Sequence, residues 1–174
     1  CQVDIADVLE CALDDLVTHG WHRRVVNGSL LDQAKNLYMT AGIAGVECRA
    51  FLERDLPGWL EILHPTVGSR LAGAPALDSE HYTASIAERE HLMDRTEELF
   101  AEADLLALPT AIITPSPVSD LSDTDRYGAA NAAALGPTCP ISLLGLCAIT
   151  LSVGLDQSDM PVGLQLVARA GQDE

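Results

Sequence analysis

A single lysine, Lys35, stands in this chain beside five histidines and five cysteines. Any serine–lysine mechanism run by these residues alone must use Lys35, because a hydroxyl is activated only by a base within hydrogen-bond reach. Lys35 lies in a polar helical stretch with no serine at a useful spacing, so it reads as a surface lysine. A Ser-His-Asp triad needs its serine on a strained turn, and the G-x-S-x-G elbow that builds one is absent. Gly28-Ser29-Leu30 is too generic to replace it. His19 and His22 are three apart, a spacing that can place two metal ligands on one helix face. Gly20 and Trp21 break that helix, however, and no third ligand is near. His64 precedes Pro65, and His81 and His91 read as surface or helix-lining residues. Cys139 and Cys147 lack both C-x-x-C spacing and a neighbouring cation to lower a thiol pKa, which argues against redox work. Gly42 and Gly45 do not follow a strand, so they make no phosphate cradle. Glu97-Glu98 reads as solvated charge. By elimination the chain holds no self-sufficient catalytic constellation. No catalytic residue, metal ligand or cofactor is assigned.

Composition narrows the partners. The 174 residues, 48% of them hydrophobic, suffice for one domain with an ample core. Lys+Arg 10 against Asp+Glu 26 leaves a formal charge of −16. Such a surface repels nucleic-acid phosphates and anionic lipid, so neither is an expected partner. No uninterrupted apolar run approaches the ~20 residues of a bilayer span, and the N-terminus lacks the order of a signal peptide. The cysteines are odd in number and irregularly spaced, which predicts buried free thiols and a cytoplasmic location. A first residue Cys1 rather than Met is read as a chain whose beginning is missing.

The elements that must position any site follow from periodicity. Ile5, Val8, Leu9, Ala12, Leu13 and Leu16 predict an amphipathic helix over 4–19, stopped by Gly20. Trp21 to Val26 fits a short strand, Asn27-Gly28 a turn, and Ser29 a helix cap. A second helix is expected from about Leu30 to Leu56, weakened at Gly42 and Gly45 and ended by Pro57-Gly58. Trp59 to Leu63 reads as a helical turn that His64-Pro65 interrupts. Asp78 or Ser79 caps a third long helix carrying Tyr82, Ile86, Met93 and Phe100, with Glu88, Arg89, Glu90, Asp94 and Arg95 on its solvated face. Then come three short apolar runs, Leu105–Thr110, Cys147–Val153 and Val162–Ala168. Continuous apolarity predicts strands buried on both faces of an α/β sheet, the last two forming a hairpin. Thr114 to Pro137 reads as a long loop, and Ala170 to Glu174 as the cap of a further helix.

Several segments match one family in order. Asp104-Leu-Leu-Ala-Leu-Pro-Thr110 follows its pattern of acidic residue, apolar strand and Pro-Thr. Thr138-Cys-Pro-Ile-Ser-Leu-Leu-Gly145 follows its Thr-x-Pro segment, and Met160-Pro-Val-Gly-Leu-Gln-Leu-Val167 its final strand. Ser69-Arg-Leu-Ala-Gly73 is similar to the stretch before its long linking helix. The chain thus resembles the C-terminal half of an amidase-signature hydrolase, of the amidase and glutamyl-tRNA amidotransferase type. The resemblance implies an α/β fold with a mixed sheet covered by helices. Residues 1–174 would be the C-terminal portion of one domain, 1–103 mostly helical and 104–174 sheet strands plus a pocket-side loop. It implies carboxamide hydrolysis by a Ser–cis-Ser–Lys triad in the preceding half, so this chain alone is expected to be inactive.

By the same resemblance Arg70, Thr138 and Ser142 are the substrate-binding candidates. Ser142 stands where the family often has Asn, Cys147 and Ser152 replace common prolines, and Arg70 lies one residue closer to Gly73 than in members that hold a carboxylate there. The implied partners are a small-molecule amide and the missing N-terminal half or a separate partner subunit; homo-oligomerisation stays open. The rival reading is a non-catalytic subunit or remnant that pairs with a chain supplying the other half. A third is an unrelated small α/β binding protein.

Overall fold

A computed structural model describes residues 1–173. Its centre is a three-stranded antiparallel sheet in the order β1-β3-β2, built from Leu106–Pro109, Pro161–Ala168 and Cys147–Leu155 respectively. Side chains alternate across a strand, and β3 serves both layers. Val162 and Leu164 pack with Ile5 and Leu9 of α1 (Val3–Thr18). Val167 and β1 residue Leu106 face the other way, into a larger core with Leu30, Ala34, Leu92, Leu99, Phe100, Ile141 and Leu144. That second layer is formed by α2 (Ser29–Ala41), α6 (Glu80–Asp94) and α8 (Cys139–Leu143). Helices on both faces of a sheet make the fold α/β.

The three apolar runs are strands, and the last two form the expected hairpin. Its loop shows why. Asp159 N–H donates to Asp156 O at 3.1 Å, and Asp156 N–H donates to Met160 O at 2.8 Å. Asp159 sits at φ +59, the left-handed residue that closes a three-residue hairpin loop. Burial on both faces holds for β3 but not for β2, where Ile149, Leu151 and Leu155 are 60%, 45% and 57% exposed. β2 lies at the sheet edge, and α1 packs over β3 and only the far end of β2. Gly154 marks that crossing: a Cβ there would meet Val8 Cγ1 at 2.7 Å.

Other elements differ from the sequence reading for local reasons. The expected helix over 30–56 is two helices, α2 and α3 (Ile43–Asp55), because Gly42 turns left-handed at φ +63 between them. Gly28, not Ser29, is the N-cap of α2, and Asn27 Oδ1 accepts from Ser29 N–H at 3.0 Å. Trp59–Ile62 is the short α4, and Pro65 begins a helix rather than ending one: α5 spans Pro65–Ala72. Proline suits that first turn, where its missing N–H has no intrahelical partner to lose. Ser79 caps α6, accepting from Tyr82 N–H at 3.2 Å. The predicted run to Phe100 breaks at Arg95 and continues as a 3₁₀ turn, Thr96–Phe100. The supposed loop 114–137 contains a 3₁₀ turn, Val118–Ser122, and a full helix, α7 (Thr124–Leu135), capped by Asp123. Trp21–Val26 forms no strand, and Ala170-Gly171 is a turn, while Glu174 lies outside the described residues.

Candidate functional site

Thr138, the N-cap of α8, and Ser142 within it sit one turn apart, and Ser142 N–H donates to Thr138 O at 3.1 Å. The Thr138 hydroxyl donates to Leu135 O at 3.3 Å, so only its lone pairs remain for a ligand. Ser142 is exposed. Arg70 occupies the last turn of α5, exposed. The fold therefore joins Thr138 to Ser142 on one short helix and leaves Arg70 on a separate one.

What holds α8 was misread in the sequence. Arg89, placed on a solvated face, is half-buried and its Nε donates to Leu143 O at 2.8 Å. A guanidinium on the last carbonyl of a helix satisfies an orphan acceptor and complements the helix dipole. Lys35 is likewise half-buried beside the α7–α8 turn: its Nζ lies 3.5 Å from where a Cβ on Gly136 would be. Among the described residues no hydroxyl is hydrogen-bonded to it. Cys139, next in the turn, is buried, and burial pushes its thiol pKa up against the opposing pull of the Lys35 charge. Cys139 alone of the five free thiols is buried, against the expectation of buried thiols throughout; Cys1, Cys11 and Cys48 are exposed.

A polar cluster on the α8 side of the sheet escaped the sequence reading. Thr110, just past β1, and Thr150 of β2 exchange a hydroxyl hydrogen bond of 3.1 Å. They meet across β3 because residue 163 is glycine: a Cβ there would lie 2.8 Å from Thr110 Oγ1 and 2.9 Å from Thr150 Cγ2. Beside them Gln165 is 4% exposed, and its Oε1 is buried without a hydrogen-bond partner among the described residues. The available signals were a glycine inside a strand, which marks close approach, and a glutamine inside an apolar run.

At the hairpin end, Asp156 ties three segments together. Its Oδ2 accepts from the Thr114 hydroxyl at 2.6 Å, and its Oδ1 accepts from Ser158 and Met160 N–H at 2.8 and 2.9 Å. Gln2 Oε1 in turn accepts from Thr114 N–H at 2.7 Å. The hydroxyl bond first, then the Met160 and Ser158 amides, hold the Asp156 carboxyl below the usual carboxylate range.

A cleft of about 720 Å³ opens between α1, residues 20–28 and β1. Leu13, Leu16, Leu106, Leu108 and Leu166 line it, with Arg23 and Arg24 at its rim. Arg23 pairs with Glu10 at 2.6 Å and Arg24 with Glu102 at 3.3 Å. Arg70, Thr138 and Ser142 are not among its lining residues. Among the described residues no three His, Cys, Asp or Glu side chains gather as metal ligands would. His19 instead places its Nδ1 2.7 Å from Asp15 O, and His22 lines the cleft. Among the described residues no helix is long and apolar enough to cross a membrane.

The family model described as Amidase matches residues 57–174, well over half of the chain. The chain belongs to the amidase family. Relatives extend the match beyond these residues. The 2-amino-5-chloromuconic acid deaminase of Comamonas testosteroni is 33% identical over 165 residues, 94% of this chain and 35% of its own. Fatty acid amide hydrolase of Oryza sativa subsp. indica is 37% identical over 93 residues, 52% of this chain and 15% of its own. Among solved structures, a crystal structure of an amidase superposes with a TM-score of 0.78 at 25% identity, covering 98% of this chain and 39% of that one. Allophanate hydrolase of Kluyveromyces lactis, as its S177A variant, gives 0.79 at 20% identity over 97% of this chain and 27% of its own. The chain thus spans about a third or less of the length of these curated relatives.

Proposed function

We propose that these residues form the C-terminal portion of a hydrolase that cleaves the C–N bond of a small carboxamide. The nucleophilic serine, bridging serine and lysine are supplied by polypeptide outside the 174 residues. The observation that carries this reading is the 33% identity to the deaminase over 94% of the chain. In this reading α8 forms one wall of the acyl pocket. Ser142 offers a hydroxyl to the bound amide, Thr138 offers acceptor lone pairs, and Arg89 holds the helix by its last carbonyl. Arg70 binds a carboxylate on the substrate. The oxyanion of the tetrahedral intermediate is stabilised by backbone donors of the catalytic portion.

The test is ammonia release from a panel of small amides, with and without a serine-directed sulfonyl fluoride. The chain joined to the catalytic portion of a relative should hydrolyse at least one amide and be silenced by the reagent. The 174 residues alone should be inactive. Reagent-sensitive hydrolysis by the chain alone would overturn this assignment. A joined protein that folds yet never hydrolyses an amide favours the non-catalytic subunit instead.

A further inference from the structure

The sheet face that packs against α8 changes character along its length. Val167 and Leu106 lie at its covered end, in the larger core with Ile141 and Leu144. Side chains at i and i+2 share a face. In the register of β2 and β3, Thr150 opposite Gln165 and Ser152 opposite Gly163 therefore continue the row begun by Ala148 and Val167. Thr110 reaches over Gly163 from the other side to meet Thr150. Here the covering stops: Thr150 and Ser152 are exposed, and only Gln165 between the strands stays buried.

Hydrogen bonding on this open end does not close. The Thr110–Thr150 bond uses one of two hydroxyl protons, so the other remains free to donate. Ser152 adds an exposed hydroxyl. Gln165 Oε1 is buried without a donor among the described residues. Leaving such an acceptor unpaired costs more than a hydrogen bond gains, and native proteins keep few of them. A leucine would fill the same strand position without that cost. The glutamine is accounted for by a group that reaches it and brings an N–H or O–H.

The chemistry of that group follows from its neighbours. Thr110, Thr150, Ser152 and Gln165 are all neutral, so an ionised ligand would lose hydration here without gaining a counter-ion. The formal charge of −16 further disfavours an anion. A glutamine carboxamide carries an acceptor oxygen and an NH₂ donor. Its complement is a second primary amide, which gives one N–H to Oε1 and takes one from Nε2. The remaining N–H of that ligand suits the oxygen of Thr150 or Ser152. Glutamine's last torsion is broad, so the Gln165 amide can turn its edge toward the open end.

We propose that this face is a binding subsite for a neutral primary carboxamide, with Gln165 pairing to it and the Thr150 and Ser152 hydroxyls beside it. The inference rests on, and deepens, the reading of the chain as part of an amide hydrolase. It makes the preferred substrate an uncharged, unsubstituted amide and Gln165 a specificity-determining residue.

The test titrates acetamide, N,N-dimethylacetamide and acetate into the isotopically labelled chain. NMR follows the backbone amides of Thr150 and Gly163 and the side-chain amide of Gln165. Acetamide should shift all three saturably, with a Kd of roughly millimolar order for so small a ligand. Dimethylacetamide, which has no N–H, and acetate, which is also charged, should bind about tenfold more weakly or worse. Gln165→Leu should weaken acetamide binding by about tenfold and leave the urea midpoint at or above the parent's, because an unpaired amide leaves the core. Ser152→Ala, at an exposed position, should weaken binding several-fold with the midpoint unchanged. Equal binding of acetamide and dimethylacetamide overturns the subsite, as do acetamide shifts that avoid this face or survive Gln165→Leu. A midpoint well below the parent's in Gln165→Leu also overturns it, since the amide would then be paired within the chain. Hydrolysis is read separately, in the protein joined to a relative's catalytic portion. There Gln165→Leu should raise KM for a primary amide about tenfold and change kcat less. Hydrolysis indifferent to Gln165→Leu removes the subsite and keeps the amidase reading; acetamide binding without hydrolysis does the reverse.

Discussion

Replacing Gly163 by alanine tests whether the sheet is as tightly built as the threonine pair indicates. The new Cβ would sit 2.8 Å from Thr110 Oγ1, 2.9 Å from Thr150 Cγ2 and 3.0 Å from Thr110 Cβ. Turning the Thr110 hydroxyl relieves the first clash. The other two involve a methyl and a Cβ fixed to neighbouring strands, so β1 or β2 must move. Overpacking of this kind costs about 1–3 kcal/mol, and losing the Thr110–Thr150 bond adds roughly 0.5–1.5. Removing a glycine from a strand returns about 0.5–1 kcal/mol. The net expectation is destabilisation of about 2 kcal/mol, a fall in Tm of roughly 4–8 °C for a chain of this size. Urea unfolding followed by circular dichroism measures it, with Thr150→Ser and Thr110→Ala as a second background. With the methyl and hydroxyl gone, the cost of Gly163→Ala should drop by about 1 kcal/mol through direct coupling. A Gly163→Ala variant within about 0.5 kcal/mol of the parent, or one equally costly in both backgrounds, would refute the close-approach argument.

Three further outcomes follow from single residues. Asp159→Gly removes the strain of a β-carbon at φ +59 and should stabilise the hairpin by about 0.5–1 kcal/mol, read as a raised urea midpoint. Asp156 has a lowered folded-state pKa, so its stabilisation is fully present above the ordinary carboxylate value of about 4 and is lost as pH falls through the folded value. Asp156→Asn should therefore be less stable at neutral pH and show a shallower acid loss below about pH 4, checked by unfolding midpoints across an acid series. Arg89→Ala leaves the Leu143 carbonyl without its 2.8 Å donor and should cost about 1.5 kcal/mol. Arg89→Lys should recover only part of this, since a flexible ammonium replaces a planar fork.

Local pattern carried much of the architecture. Apolar spacing in residues 4–19 predicted α1, the Asp78-Ser79 pair the cap of α6, and three bounded apolar runs the three strands, because each signal lies within a few residues. The family was legible as well, since Asp104–Thr110, Thr138–Gly145 and Met160–Val167 stand in its order. Local reading failed where one residue has two conformational uses. Gly42 could bend a helix or end it, and Pro65 could stop a helix or start one. Helix α7 was hidden because its Ala-rich sequence follows a Pro- and Ser-rich stretch that reads as loop.

The chain itself thus determined where most elements lie, which of them are apolar and to which family they belong; these depend on side-chain period and neighbours along the backbone. Tertiary structure decided the rest. Only the order β1-β3-β2 brings Thr110 and Thr150 together over Gly163 and strands Gln165 beside them. Only packing puts Arg89 on the Leu143 carbonyl, 54 positions away. Pairings across such separations depend on which faces bury one another, a property of the assembled layers that no local window of sequence contains.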